Sequence, residues 1–388
     1  MASGALRRAL FGVVAALLVA NAVALSVLPR VTVAFRGAPS GLAKVLPRLM
    51  DFVEKTRGLD FTRTVVFETL DPSDFEGDGP KPSESEVALY VAQETAFYKA
   101  LGLLPAASAP LDISPGAIQE RIAGLYNSRD NRLKVRDVEP SPFVEEVLVH
   151  ELTHALDDQH FDLARADLYV HDDEAGATFD ALAEGDARWV EVQYVEAMSA
   201  GDQAAAQAAR QKISGSGPAF PPAIEGLLSF PYSAGAAFVD ALREQGGATR
   251  VNQAFRKPPT TTAQILEPER YLAPEDDGPS VRRPQPAGES FRRGSLGELF
   301  VYLMVSGTSD ATAARTAAKA WAADRYVAYT ADERACVSAR ISIRDGAEPR
   351  MLRDALQRWA ASLPEATTAS SGRSVEIRSC VAIPGFNG

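Results

Sequence analysis

All four histidines of this 388-residue chain lie between positions 150 and 171. Three fall within eleven residues, in the run His150-Glu151-Leu152-Thr153-His154-Ala155-Leu156-Asp157-Asp158-Gln159-His160. Imidazoles four residues apart project from one face of a helix. Two nitrogens so placed can bind one Zn²⁺. Glu151 lies on the edge of that face, where it can take a proton from water whose pKa the metal lowers. This is the HExxH pattern with its mechanism attached. Val144, Val147, Leu148 and Leu152 surround the motif. The helix is therefore internal, and a buried His-Glu-His group without a metal would be expensive.

The elements that must position these residues follow from the neighbouring sequence. Ser141-Pro142 reads as an N-cap followed by proline at the first helical position, opening a helix from Phe143 to about Gln159. Before it, Gly124–Asn127 and Arg132–Arg136 flank a polar turn and read as a β-hairpin. An edge strand beside the helix could pair with an extended peptide, although its charged turn reads equally well as a solvated loop. Further helices are expected over Ser40–Arg57, interrupted by Pro47, and over Ser83–Leu101, Asp173–Ser199 and Asp202–Ile213. A strand is expected at Thr62–Leu70. Pro231-Tyr232 reads as a turn that opens a helix at Ser233–Gln245, and residues 257–295 as an extended excursion over the surface. Helices at Ser295–Ser306 and Thr308–Ala322 and a strand at Arg325–Thr330 follow. The chain closes with strands Ala335–Ile343 and Ser374–Ile383 around a helix at Pro349–Leu363. The sum is an α+β fold, mainly helical with a small mixed sheet.

His150-Glu-Leu-Thr-His-Ala-Leu-Asp-Asp158 resembles the active-site helix of the thermolysin-type, or gluzincin, zinc metallopeptidases. That clan takes its third zinc ligand from a Glu on a second helix, in an ExxA or ExxD pattern, and Glu184-Gly185-Asp186-Ala187 matches it. The strings around Glu184 and Phe230-Pro231-Tyr232-Ser-Ala-Gly235 are also similar to exported bacterial members of the clan. The resemblance covers residues 120–240. It implies a zincin-like core, Zn²⁺ on His150, His154 and Glu184, Glu151 as general base, and a peptide or protein substrate. The chain departs from the thermolysin group at two points. The Asp expected four residues after the ligand Glu, as support for a ligand histidine, is Arg188; Asp180, Asp158 or a backbone carbonyl would have to replace it. No histidine follows position 171, so an oxyanion donor must be Tyr or Arg, and Tyr232 at a helix start is the candidate.

His160 competes with Glu184 as third ligand. It follows His154 by six residues, the metzincin spacing, but that clan has a glycine where Asp157 stands, which lets the chain turn out of the helix. If the helix continues, His160 is rotated about 240° from His154 and cannot share its metal. Ala187, one turn after Glu184, is small enough to let the ligand helices approach closely.

Composition bounds the rest. Lys and Arg number 40 against 51 Asp and Glu, a net charge of −11. That leaves no basic footprint for nucleic acid. Ala9–Leu28 is an uncharged run of 20 residues after Arg7-Arg8. It reads as a signal anchor or a cleaved signal peptide and puts the rest of the chain outside the cytoplasm, anchored in the membrane or secreted. Cys336 and Cys380, the only cysteines, are expected to form one disulfide there. The expected organisation is an export segment over residues 1–30, a metallopeptidase-like domain over 38–330 and a disulfide-closed α+β unit over 331–388. The expected function is zinc-dependent hydrolysis of peptide bonds. The alternatives are a non-catalytic envelope or binding protein on the same fold, or a zinc hydrolase of a non-peptide bond.

Overall fold

The computed structural model describes residues 35–69, 84–110, 123–136, 139–165, 168, 173–214, 220–273 and 278–383. The apolar run Ala9–Leu28 lies outside them, and among the described residues no helix is long and apolar enough to cross a membrane. The fold is α+β with two small sheets.

The first sheet has strand order β1-β2-β4-β3, from β1 (Phe35–Arg36), β2 (Val65–Thr69), β3 (Gly124–Asn127) and β4 (Arg132–Val135). β1, β2 and β4 run parallel, and β3 returns antiparallel along β4 as the edge strand. Helix α1 (Leu46–Arg57) and the central helix α3 (Pro142–Phe161) pack against this sheet. Their shared core joins Leu49 and Val53 of α1, Phe67 of β2, Leu133 of β4 and Leu148, Leu152 and Leu156 of α3. Pro47 begins α1 rather than interrupting it, because proline at the first turn has no N–H to satisfy.

Helix α2 (Glu84–Ala100) precedes the hairpin; α4 (Asp173–Ala197) and α5 (Ala200–Ser214) follow α3. The next helix, α6, spans Pro222–Arg256, longer than the sequence reading at both ends. Pro231 lies inside it rather than at a turn. The axis breaks instead at Gly246-Gly247, where Gly247 is left-handed. The packing of Phe230, Phe238, Val239 and Leu242 into the main core offsets the local cost of an internal proline. The expected surface excursion over 257–295 instead holds two short helices, α7 (Thr262–Leu266) and α8 (Pro268–Leu272), with Ala263 and Ile265 in the main core, and it ends in a strand.

The second sheet is antiparallel, in order β5-β6-β7-β9-β8. Its strands are β5 (Glu289–Gly294), β6 (Trp321–Ala331), β7 (Arg334–Ile343), β8 (Ala366–Ser371) and β9 (Ser374–Ala382). Helices α9 (Gly297–Ser306) and α10 (Ala311–Ala318) connect β5 to β6, and α11 (Pro349–Ala361) connects β7 to β8. The predicted helix to Ala322 therefore stops at Ala318, and Trp321 already belongs to β6. Asp324 explains the end of that connection: its carboxylate accepts from the Leu296 and Gly297 amides and from Trp321 Nε1 at 2.8–2.9 Å. Cys336 and Cys380 face each other across β7 and β9 and are joined as a disulfide.

Candidate metal centre

Helix α3 starts where the sequence places it. Ser141 Oγ accepts from the Val144 amide at 3.2 Å, and Pro142 fills the first turn. The helix runs unbroken through Asp157, Asp158 and Gln159 and ends where Asp162 turns left-handed. His160 therefore stays helical, and its Nε2 meets the Asp60 carbonyl at 2.9 Å, away from His150 and His154.

His150 and His154 project together toward α4. His150 Nε2 lies 3.1 Å from His154 Nε2 and 3.1 Å from Glu184 Oε2, and His154 Nε2 lies 3.4 Å from the same oxygen. Three donors at 2.0–2.1 Å from one tetrahedral ion would be spaced by about 3.3 Å. The triangle therefore fits a metal ion, and among the described residues His150, His154 and Glu184 are the cluster that could hold one.

The electrostatics favour a cation there. Burial raises the Glu184 carboxyl, but the imidazoles of His154 and His150 overcome this and hold it far below the usual carboxylate range. Burial works against a charged His150, yet Glu184 and Glu191 push its pKa well up. Burial raises Glu151, partly countered by the two histidines. Three carboxylates gather around the two imidazoles, so a positive charge at the cluster, a proton on His150 or a divalent ion in its place, is favoured.

Glu191 is the residue the sequence reading did not select. Its Oε2 stands 3.0 Å from His150 Nδ1 and orients that ring. Burial opposes its charge, but the hydrogen bond to His150 wins and its pKa falls to about 2. The signal was present: Glu191 follows Glu184 by seven residues, two helical turns, and so shares its face. Arg188, at the position where the clan carries Asp, pairs with Glu191 instead. Asp158 is engaged elsewhere, accepting from Tyr126 Oη and the Leu163 amide at 2.8 Å each. Asp180 lines the cavity beside the cluster.

That cavity, of about 260 Å³, is walled by β3, α3, α4 and α6 and includes Glu151 and Tyr232. Gly124 lets β3 lie on α3, since a Cβ there would stand 2.6 Å from Val147 Cγ1. Arg136 N donates to Ala123 O at 3.0 Å. With the observed register, alternation directs the N–H and C=O of Gly124 and Tyr126 away from β4. The Tyr126 amide accordingly donates to Glu151 Oε2 at 2.6 Å.

Tyr232 is mid-helix on α6, not at a helix start. Its ring stacks on His150 with centroids 6.5 Å apart. Glu184 first, then burial, pushes its hydroxyl pKa far up, so the group stays a neutral donor. Tyr232 reaches the cluster because α4 and α6 touch backbone to backbone. A Cβ on Gly185 would meet the Gly235 carbonyl at 2.3 Å, and one on Gly235 would meet Ala181 O at 2.0 Å. This close approach lies between α4 and α6; Ala187, farther along α4, is fully buried.

No protein-family model, curated protein or solved structure matches this chain.

Proposed function

We propose that the chain is a zinc-dependent peptide hydrolase working outside the cytoplasm. The observation that carries this reading is the 3.1–3.4 Å triangle of His150, His154 and Glu184 beside the Glu151 carboxylate in one open cavity. In this reading His150, His154 and Glu184 hold Zn²⁺, which when bound supplies Lewis acidity to water and to the scissile carbonyl. Glu151 takes a proton from the attacking water and passes it to the leaving nitrogen. Tyr232 donates its O–H toward the carbonyl oxygen as negative charge develops there. Gly124 and Tyr126 offer outward backbone groups on which an extended peptide can align. The Cys336–Cys380 bond and the Ala9–Leu28 run support an oxidising compartment, with the chain membrane-anchored or secreted.

The test pairs metal analysis of the purified chain with digestion of a broad peptide library. One zinc per chain is expected, lost in His150→Ala and His154→Ala. Glu151→Gln should keep the metal and lose turnover by several orders of magnitude. A metal-replete wild-type chain that cleaves no peptide would sink the peptidase reading, as would full activity in Glu151→Gln.

A further inference from the structure

The face of α6 that carries Ser229, Phe230 and Ser233 borders a second cavity, of about 440 Å³, closed by α7, α9 and α10. Its size falls within the range of small-molecule pockets. Small residues hollow it: Gly226, Ala234, Ala237 and Ala318 line it beside the apolar walls Phe230 and Leu299. Gly226 has little latitude, since a Cβ there would come 3.0 Å from Leu303 Cδ2.

Polar groups converge on this hollow from two sides. Glu298 lines it with a side chain only 3% exposed. Its Oε2 accepts no hydrogen bond among the described residues, the Arg270 guanidinium standing off at 3.7 Å. A buried acceptor without a donor is unfavourable. Burial, reinforced by Glu267, pushes this carboxyl up to about 7. The nearby hydroxyls do not supply the donor, because Ser229 and Ser233 donate to carbonyls of their own helix. On the other side Arg315 and Lys319, one turn apart, line the cavity and are exposed. Arg315 lies over the Tyr302 ring, and Lys319 Nζ is 3.5 Å from Glu267.

We propose that this cavity binds a small amphipathic carboxylate with an apolar side chain and an N–H donor, the chemistry of an N-acylated apolar amino acid or an apolar peptide C-terminus. The side chain fills the alanine-lined hollow, the N–H turns to the Glu298 carboxyl where that residue lines the wall, and the carboxylate meets Arg315 and Lys319. Charge-assisted contacts of this kind orient a ligand whose apolar body supplies the burial. The site stands apart from the metal cluster and does not rest on the hydrolase reading.

Calorimetric titration of the full chain with N-acetyl-L-leucine, its uncharged amide and leucyl-leucine tests this at pH 7. The acid should bind saturably and at least tenfold more tightly than the amide. Arg315→Ala and Lys319→Ala, at exposed positions, should each weaken it by about tenfold, and His150→Ala should leave it unchanged. Tighter binding of leucyl-leucine than of the acid would assign the site to a peptide C-terminus, the reverse to a free acylated amino acid. The proposal is overturned by an absence of saturable binding, by equal binding of acid and amide, by indifference to both rim variants, or by loss of binding in His150→Ala, which would place the acid on the metal cluster.

Discussion

Glu191 sets how firmly His150 can serve as a ligand, since it fixes both the ring orientation and the nitrogen that carries the proton. Loss of such outer partners usually lowers metal affinity by about 10–100-fold. Glu191→Gln should show that drop in competition with a calibrated chelator, and an unchanged affinity would remove the orienting role. Tyr232→Phe keeps the ring over His150 and deletes only the hydroxyl. If that hydroxyl serves the developing oxyanion, kcat should fall on the order of 10²-fold while KM holds; equal kcat values would show that it does not. At this scale much of the candidate site was legible. The i, i+4 imidazoles, Glu151 and the Glu184 carboxylate all reach one cavity. Glu191 escaped because support was sought four residues beyond Glu184, whereas the helix repeats its face just as well after seven.

The helices are held by contacts that sequence periodicity does not display. Gly185 and Gly235 bring the α4 and α6 backbones together, and that approach brings Tyr232 over His150. Gly235→Ala forces a methyl against Ala181 O and should destabilise the fold by roughly 1–3 kcal/mol or more in chemical denaturation. Metal affinity should fall with it, because Glu184 adjoins the displaced backbone. A variant with wild-type stability and affinity would show that the helices separate without consequence. The same packing explains why reading a turn at Pro231 failed: local propensity argued for a break, and the burial of Phe230 and Phe238 outweighed it. The strands Phe35–Arg36, Glu289–Gly294 and Ala366–Ser371 were not foreseen, the first being two residues long and the other two, ESFRRG and ATTASS, too polar to show an apolar alternation. The hairpin and the capped start of α3 were legible because turn and cap residues declare themselves locally.

Across the molecule, a buried ionic group fastens four helices together, among them the two that carry His150, His154 and Glu184. Arg57 of α1 is fully buried; it pairs with Asp186 of α4, approaches Asp157 of α3 at 3.1 Å and donates to Asn252 of α6 at 2.6 Å. Arg243 completes it, donating to Asp186 at 3.0 Å. Burial drives the Asp157 carboxyl up, while Arg57 and Arg243 outweigh burial at Asp186 and bring it down. Removing Arg57 leaves these acids without their main counter-charge, so Arg57→Ala should cost about 3–5 kcal/mol, read from denaturant midpoints. The disulfide acts on a different part of the chain. It closes a sequence separation of 44 residues in the second sheet, and its reduction should cost about 2–4 kcal/mol while leaving metal stoichiometry intact. Metal loss on reduction would mean that the two sheets are coupled more tightly than their separate packing implies. Glu298 adds a pH dependence. Its pKa rises from 4.5 to about 7 on folding, so between those values the folded chain holds more protons than the unfolded one. Its contribution is full below about 4.5 and is lost as the pH rises through 7. Glu298→Gln should flatten that part of the stability profile.

The Tyr126 amide offers a way to watch the centre at rest. An outward amide on an edge strand ordinarily trades its hydrogen for deuterium quickly, yet here it is clasped by the Glu151 carboxylate. Its exchange rate is therefore a clock wound by one side chain. It should run slowly while the clasp holds and quicken in Glu151→Ala. It should also change whenever a bound chain along β3 takes the amide for itself. A single peptide fragment followed by mass spectrometry would thus register occupancy of the cleft directly.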